Sequence, residues 1–270
     1  MSNKKYLIAL DMDGTLLTSD KTISEKTKNY LRKLDKEGHI VVIASGRPIR
    51  AIKSYYDDLN LHSPVICYNG ACLLSPNDPN FKEISFSFPR DVIKSIYNEV
   101  GPKYIENVMC ETNKDIWLIK DNQVLADFFW HDGMNIIYGD INETLNENPM
   151  TMIIKSYSNE SDDLIKAAVL KHPHLCLRFW NGNFALYSEI YYDNVSKAES
   201  LKYIAKYYEI PHSNIIAFGD ASNDVDMLKM AGIGVAMKNG DDEIKKVANI
   251  ITDFDNDHDG IVETLKQIIK

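Results

Sequence analysis

The chain has 270 residues, of which 44% are hydrophobic and 26% charged, and its formal net charge at pH 7 is −9. This length is enough for one large or two modest domains with a substantial core. The acidic balance argues against a general nucleic-acid-binding protein, but it does not exclude an anionic substrate held by a metal ion or a local group of cations.

The cysteine spacing and the hydropathy pattern bear on metal binding, cellular compartment and membrane association. None of the four cysteines has a spacing typical of a zinc site, so we expect reduced thiols and a cytoplasmic protein. The first apolar run, YLIAL, is too short for a signal sequence, and nothing approaches the ~20 apolar residues of a membrane helix. We expect neither nucleic acid nor membrane as a partner, and a monomer or a weak homodimer.

Strand and helix patterns alternate in the first part of the chain. Residues 6–10, 40–44 and 65–68 are predicted strands, and the continuous β-branched run at 40–44 is typical of a strand buried on both faces. Helices are predicted at 24–37, with Ser24 as the N-cap and Gly38 as the stop, and at 47–59. This order predicts right-handed crossovers in a parallel sheet.

The middle of the chain has a different pattern. The predicted elements are strands at 84–88, 116–120, 151–156, 175–180 and 184–190, helices at 91–100 and 162–171, and a loop at 142–148. Asn-Gly-Asn at 181–183 predicts a β-hairpin between the last two strands. We interpret residues 84–190 as an α+β unit inserted into a domain made of residues 1–83 and 191–270.

The parallel pattern then returns. Helices are predicted at 197–208, 224–230, 241–248 and 261–269, and strands at 214–218, 233–237 and 250–251. The fold class predicted for residues 1–83 and 191–270 is therefore α/β, with a parallel sheet.

Polar clusters occupy the ends of the predicted parallel strands. Asp11 and Asp13 follow the first strand, Ser45-Gly46-Arg47 follows the second, and GDASND at 219–224 follows the strand at 214–218. Lys197 opens the helix after the insertion. Because ligands bind beyond the carboxyl ends of strands in an open parallel sheet, we expect these clusters to converge.

Such a cluster has the groups needed for phosphoryl transfer. Asp11 and Asp220 offer hard oxygen ligands that suit Mg²⁺, and a metal beside Asp11 would keep it ionised as a nucleophile. Asp13 could protonate a leaving oxygen and later take a proton from water. The candidates for holding phosphoryl oxygens are Lys197, Ser45 and the backbone amides near Met12 and Gly46.

Four segments resemble the ordered motifs of haloacid dehalogenase-like phosphatases: DMDGTLL at 11–17, ASGR at 44–47, NVSKAESL at 194–201 and GDASNDVDML at 219–228. The YNGA segment at 68–71 and the large insertion between the second and third motifs resemble the Cof-type group. Within the third motif, Asn194 and Ala198 replace the usual glycines.

The resemblance implies a Rossmann-like core with an inserted α/β cap. It implies a Mg²⁺-dependent phosphatase acting on small phosphorylated metabolites, such as sugar phosphates, through an aspartyl-phosphate on Asp11 with Asp13 as acid and base. The metal ligands would be Asp11, the Asp13 carbonyl and Asp220, with Asp224 in support. The phosphate contacts would be Ser45, Gly46, Lys197 and Asn223.

Other interpretations of these residues remain open. The catalytic alternative is a phosphomutase of the phosphomannomutase type, which no sequence feature favours. The non-catalytic alternative is a phosphometabolite sensor, which the presence of Asp11 and Asp13 disfavours. Arg47 is a candidate for substrate binding, with a surface salt bridge as an equal alternative. In the insertion, structural roles are favoured over substrate contact for Trp117, Trp130, Arg178 and Trp180.

Overall fold

The structure is a computed structural model that describes residues 4–121, 130, 131, 133–180 and 185–269. It divides into two compact units. The first comprises Met1–Ile84 and Ser196–Lys270, and the second comprises Ser85–Val195. The Asn-Gly-Asn turn predicted at 181–183 lies outside the described residues.

The first unit is built on a five-stranded sheet in the order β14-β13-β12-β1-β2, in which every neighbouring pair is parallel. The predicted parallel sheet is confirmed. Its strands are almost entirely apolar and buried, as expected for strands covered on both faces. They are β1 (Leu7–Leu10), β2 (Ile40–Ile43), β12 (Ile215–Gly219), β13 (Ile233–Ala236) and β14 (Ile250–Ile251).

Two groups of helices accompany this sheet. The first group consists of α1 (Glu25–Lys36), α2 (Ile49–Leu59) and α9 (Gly260–Ile268). Helix α1 contacts β2 and the two other helices of the group. As predicted, Ser24 caps α1, because its side chain accepts from the backbone N–H of Thr27. The other group packs with β12 and β13 and consists of α6 (Lys197–Tyr207), α7 (Val225–Met230) and α8 (Asp242–Val247).

The strand order fixes where a ligand can bind in this unit. From β1 the chain moves to β2 on one side, and β12 and β13 lie on the other side. The order therefore reverses between β1 and β12, and a crevice forms beyond the carboxyl ends of strands at such a switch point. Asp11 follows β1 there, and Asp220 follows β12.

The third predicted strand does not extend this sheet as expected. Strand β3 (Val65–Cys67) pairs antiparallel with β4 (Cys72–Leu74), which the sequence did not indicate, and β5 (Ile84–Ser85) completes a three-stranded sheet. A single parallel bridge, Ala44 to Ile66, connects β3 to the end of β2. The reason is the tight turn at Tyr68–Gly70, which reverses the chain at once.

The second unit contains a six-stranded sheet in the order β10-β11-β9-β6-β7-β8, antiparallel except for the pair β7 and β8. Helices α3 (Arg90–Val100) and α5 (Asp162–Val169) supply apolar side chains to a core shared with this sheet. The strands are β6 (Ile105–Glu111), β7 (Asp115–Leu118), β8 (Asn135–Tyr138), β9 (Thr151–Ser156), β10 (Leu175–Phe179) and β11 (Tyr187–Tyr192).

Sequence patterns missed part of this second sheet. Strand β6 was not predicted because the buried Asn107 interrupts its apolar pattern. Its Oδ1 accepts from the N–H groups of Val108 and Ile119 at 3.0 and 2.9 Å, at an irregularity in the strand register. Strand β8 was also missed. The predicted loop at 142–148 is wrong at its start, where a short helix α4 (Ile141–Thr144) forms.

Three of the four conspicuous side chains of the insertion have partners within the second unit. Trp117 is fully buried and donates through Nε1 to the carbonyl of Thr144 at 3.0 Å, so its predicted structural role is confirmed. Trp180 stacks on Tyr187, with ring centroids 5.9 Å apart. Arg178 pairs with Glu189 on the neighbouring strand and lies over the ring of Tyr191. Trp130 has a left-handed backbone, with φ 48°.

Among the described residues, no helix combines the length and the apolar composition that crossing a bilayer requires.

The pH dependence of stability is expected to include His39. The backbone N–H of Tyr6 donates to Nδ1 of His39 at 3.1 Å, so this nitrogen must be unprotonated. Burial lowers the pKa of His39 below its ordinary value of 6.5. The unfolded chain therefore binds the proton first, and the stability contributed by neutral His39 is lost as pH falls below about 6.5.

As the pH is lowered from about 7.5 to 5.5, we expect the thermal midpoint of the wild-type protein to decrease relative to that of a His39→Asn variant. Asparagine keeps an acceptor near the Tyr6 N–H but does not titrate. Calorimetric melts of both proteins at several pH values check this. If the thermal midpoints of both proteins changed equally with pH, His39 would be excluded as a cause of the pH dependence.

Candidate active site

The ammonium of Lys197 lies at the centre of the site. Its Nζ donates to Oδ1 of Asp11 at 2.5 Å and to Oδ1 of Asp224 at 2.6 Å, and all three side chains are buried. Asp11 follows β1, Asp224 lies in the turn after β12, and Lys197 is the first residue of α6. Three segments far apart in sequence are thus joined by one buried cation.

Local hydrogen bonds with the backbone hold Lys197 and Asp224 in place. Helix α6 begins at Lys197 because the Ser196 side chain caps it by accepting from the N–H of Glu199 at 3.2 Å. Asp224 uses its Oδ2 to accept from the N–H groups of Asp220 and Ala221 at 3.2 and 3.3 Å. Both oxygens of Asp224 are therefore engaged, one by the ammonium and one by the backbone.

Asp220 is fixed by the loop that follows Asp11. The hydroxyl of Thr15 donates to Oδ1 of Asp220 at 2.9 Å. Gly14 has φ 77°, and a Cβ at this position would lie 2.3 Å from Oδ2 of Asp220. Glycine is required here for both reasons, since another residue would strain the backbone and displace the carboxylate.

The electrostatics of the site are unbalanced. Three carboxylates lie close together, and the one ammonium among them pairs with only two, which leaves an excess of negative charge. Burial and the charges of Asp224 and Asp220 raise the pKa of Asp11 well above its usual value, although Lys197 opposes this. Burial and the charge of Asp224 likewise raise the pKa of Asp220 to about 6. The pKa of Lys197 is raised as well, because the two carboxylates outweigh the effect of burial.

The donor set fits a hard divalent cation. Asp11, Asp220 and Asp224 each offer an oxygen, and these atoms lie within 4.8 Å of one another. Carboxylate oxygens are the ligands that Mg²⁺ prefers, and its charge would offset the excess negative charge. Because both oxygens of Asp224 already accept hydrogen bonds, the geometry favours Asp11 and Asp220 as direct ligands, with Asp224 behind them.

Asp13 does not pair with Lys197 but with two other cations, Arg47 and Lys21. Arg47 donates to both of its oxygens, Nε to Oδ2 at 2.7 Å and Nη2 to Oδ1 at 2.5 Å, and Lys21 adds a contact of 2.8 Å. Burial opposes ionisation of Asp13, but the bonds from Arg47 and Lys21 outweigh it and lower its pKa. Arg47 therefore forms a salt bridge, as one of its two alternatives held, but its side chain is buried and not at the surface; substrate binding by Arg47 stays a prediction.

The other predicted phosphate contacts line the same end of the sheet. Ser45 is buried, and its Oγ accepts from the N–H of Arg47 at 3.1 Å. It is not the cap of α2, whose N-cap is Pro48. The Met12 side chain is fully buried in the core, so only its backbone is left to meet a ligand. Gly46 is exposed.

Asn223 has a partner that sequence reasoning did not assign to the site. Its Nδ2 donates to Oδ1 of Asn69 at 3.0 Å. Asn69 belongs to the YNGA segment at 68–71, which resembles the Cof-type group but suggested no function for any of its residues. The signal in the sequence was its position directly after a strand, like the other polar clusters.

Comparisons with known proteins find similar sequences and folds over almost the whole chain. A family model described as haloacid dehalogenase-like hydrolase matches residues 8–265. The 5-amino-6-(5-phospho-D-ribitylamino)uracil phosphatase YitU of Bacillus subtilis strain 168 is 36% identical over 273 residues, covering 99% of this chain and 98% of that protein. A haloacid dehalogenase-like hydrolase structure from Bacteroides thetaiotaomicron, 24% identical, has a TM-score of 0.81 and covers 98% of this chain and 100% of that one. A Thermotoga maritima structure gives the same identity and TM-score, with 98% coverage of both chains.

The requirement for glycine beside Asp220 can be tested with two variants. Gly14→Ala and Gly38→Ala both place alanine at positive φ, but a Cβ on Gly38, with φ 93°, meets nothing within 4 Å. Each should lose roughly 1 kcal/mol of stability from the backbone. If Mg²⁺ binds at Asp220, it should raise the thermal midpoint of the wild-type protein and of Gly38→Ala, and only Gly14→Ala should lose this rise, because it displaces Asp220. Equal responses to Mg²⁺ in the two variants would contradict this.

Proposed function

The chain belongs to the haloacid dehalogenase-like hydrolases of the Cof type and is a phosphomonoester hydrolase, and we propose that it hydrolyses small phosphorylated metabolites through a phosphoryl group carried on Asp11, with Mg²⁺ as cofactor. The observation that carries this proposal is the convergence of the buried Asp11, Asp224 and Lys197 with the partly buried Asp220 at the carboxyl ends of β1 and β12. Phosphoryl transfer needs this combination of a nucleophile and cationic groups.

In the first step, a carboxylate oxygen of Asp11 attacks phosphorus. The bond from phosphorus to the leaving oxygen breaks, and Asp13 gives its proton to that oxygen, so the alcohol departs. In the second step, Asp13 takes a proton from water, and the water oxygen attacks the phosphorus. Inorganic phosphate leaves, and the carboxylate of Asp11 is restored.

Other residues of the chain hold the reacting groups. Lys197 keeps Asp11 oriented at 2.5 Å and adds positive charge beside the phosphoryl oxygens. The Ser45 hydroxyl, the Gly46 and Met12 backbone and the Asn223 amide would donate to these oxygens. Mg²⁺, held by Asp11, Asp220 and the Asp13 carbonyl, would offset negative charge on the carboxylates and the phosphoryl group.

The paired cations at Asp13 affect the two steps differently. Arg47 and Lys21 favour its ionised form, which is the form that accepts a proton from water. The first step requires the protonated form, which is easier to reach when Asp13 moves away from Arg47. We therefore propose that Arg47 prepares Asp13 for its function as a base.

The substrate class is supported by chemistry that a relative's name describes. YitU acts on a compound whose phosphate is carried on a ribitylamino chain, a sugar-derived alcohol. We propose phosphate esters of such sugar-type alcohols as substrates, and this compound as the first to assay. We further propose a cytoplasmic protein, a monomer or weak homodimer that binds neither nucleic acid nor membrane.

Substitutions in the DMD segment test the proposed roles. Asp11→Asn should lower kcat/KM by about 10³-fold or more, because the nucleophile is lost. Asp13→Asn should lower it by about 10²- to 10⁴-fold, because the acid and base are lost. Met12→Leu is the matched control and should stay near wild-type activity, since leucine fits a buried methionine site at little cost.

These variants are compared by phosphate release from a panel of sugar-type phosphate esters. Full activity in Asp11→Asn, or a Met12→Leu loss as large as the other two, would contradict the assigned roles. Hexose 1-phosphate belongs in the panel because a mutase would convert it to hexose 6-phosphate, whereas the proposed hydrolase releases free phosphate.

Removal of divalent metal should abolish turnover reversibly. We expect phosphate release to stop in EDTA and to return when Mg²⁺ is added in excess, because the carboxylates near Asp11 need a counter-charge. The measurement is the initial rate before and after chelation. An undiminished rate in EDTA would exclude the proposed cofactor.

A further inference from the structure

The turn that ends β3 has an unusual backbone. Three consecutive residues have left-handed φ: Tyr68 at 50°, Asn69 at 53° and Gly70 at 109°. Only the glycine adopts this region without steric cost, and a tyrosine at positive φ is unfavourable. Such strain persists only where surrounding contacts hold it, and it occurs most often at functional sites.

The first contact is with the segment after β2. The N–H of Asn69 donates to the carbonyl of Ser45 at 3.0 Å, and the N–H of Tyr68 donates to the carbonyl of Arg47 at 3.2 Å. The Asn69 amide also packs on Gly46, where an added Cβ would lie 3.1 Å from Nδ2. The turn thus holds the backbone of all three residues that are predicted to meet the substrate there.

The second contact is with the start of α6. The hydroxyl of Ser200 donates to the carbonyl of Gly70 at 3.2 Å. Gly70 lies so close to this helix that a Cβ would be 2.4 Å from the carbonyl oxygen of Ser196. Because Lys197 is the next residue, the turn fixes the point from which the lysine reaches Asp11.

The third contact is through the Asn69 side chain. Its Oδ1 accepts from Nδ2 of Asn223, in the turn after β12. An amide nitrogen carries two N–H groups. With one of them on Asn69, the rotation of the Asn223 amide is fixed, and the other can donate to a phosphoryl oxygen. One side chain of the strained turn therefore determines the orientation of a predicted phosphate ligand.

We propose that Asn69 is a positioning residue for phosphoryl recognition, which orients the Asn223 amide toward the phosphate while its turn holds Ser45–Arg47 and the start of α6 in register. This inference rests on the proposed phosphatase function. Asn69 does not touch the substrate, and its effect passes through Asn223. The left-handed backbone explains why asparagine suits this position: it tolerates positive φ and carries the acceptor.

The test is a double-mutant cycle of Asn69→Gly and Asn223→Ala, read as KM and kcat for a phosphate monoester that the wild-type protein hydrolyses. Glycine keeps the left-handed backbone and removes only the side chain. The matched control is Asn60→Gly, because Asn60 also has positive φ (54°) and caps α2 away from these contacts. Thermal midpoints of all variants are measured, and assays are run well below the lowest one.

We expect each single substitution to raise KM about tenfold, as expected for the loss of one hydrogen bond to an anion, with a smaller effect on kcat. The KM of the double variant should also be about tenfold above that of the wild-type protein, because both substitutions remove the same interaction. Asn60→Gly should leave KM unchanged. The inhibition constant of inorganic phosphate should follow the same pattern as KM.

Two results would overturn the inference. One is a wild-type KM in Asn69→Gly. The other is an additive, about hundredfold increase in the double variant, which would mean that Asn69 acts independently of Asn223. Failure of the proposed function is distinguishable from both, because the wild-type protein itself would then release no phosphate from any ester in the panel.

Discussion

The buried contact of Lys197 with Asp11 and Asp224 is the interaction on which the site depends. It joins the first strand, the turn after β12 and the first residue of α6, so it forms only when β1 and β12 are neighbours. A lysine buried to this degree is tolerated because two carboxylates accept from it. This contact joins the parts of the first unit that precede and follow the insertion in sequence, and it also orients the predicted nucleophile.

This contact leaves the site with more negative than positive charge. Removing carboxylates from water without a full complement of counter-charges is costly, and here the cost is seen as raised pKa values of Asp11 and Asp220. A divalent cation would supply the missing positive charge, so the arrangement of these residues favours cation binding over the stability of the cation-free protein. Asp13 is paired with Arg47 and Lys21 and not with Lys197, although its charge also contributes to the raised pKa of Asp220.

Local sequence patterns predicted the parallel sheet well and the inserted unit only in part. Strands such as β2 are continuous apolar runs, which read clearly, whereas β6 has the buried Asn107, whose hydrogen bonds depend on a neighbouring strand that the sequence cannot show. At the site, the motif order indicated which residues converge. It could not indicate the pairing of Arg47 with Asp13 or the bond from Asn223 to Asn69, because both depend on tertiary geometry.

Thermal unfolding of the wild-type protein and of Asp220→Asn, each in EDTA and in Mg²⁺, tests most directly whether the charge excess at Lys197 is what a cation relieves. Asparagine retains an acceptor for Thr15 and removes one negative charge. Since the pKa of Asp220 is raised to about 6, its ionised form destabilises the fold at neutral pH. We expect the variant to melt above wild type in EDTA, and only the wild-type protein to gain stability from Mg²⁺. A variant that melts below wild type in EDTA, or that gains as much from Mg²⁺, would contradict this.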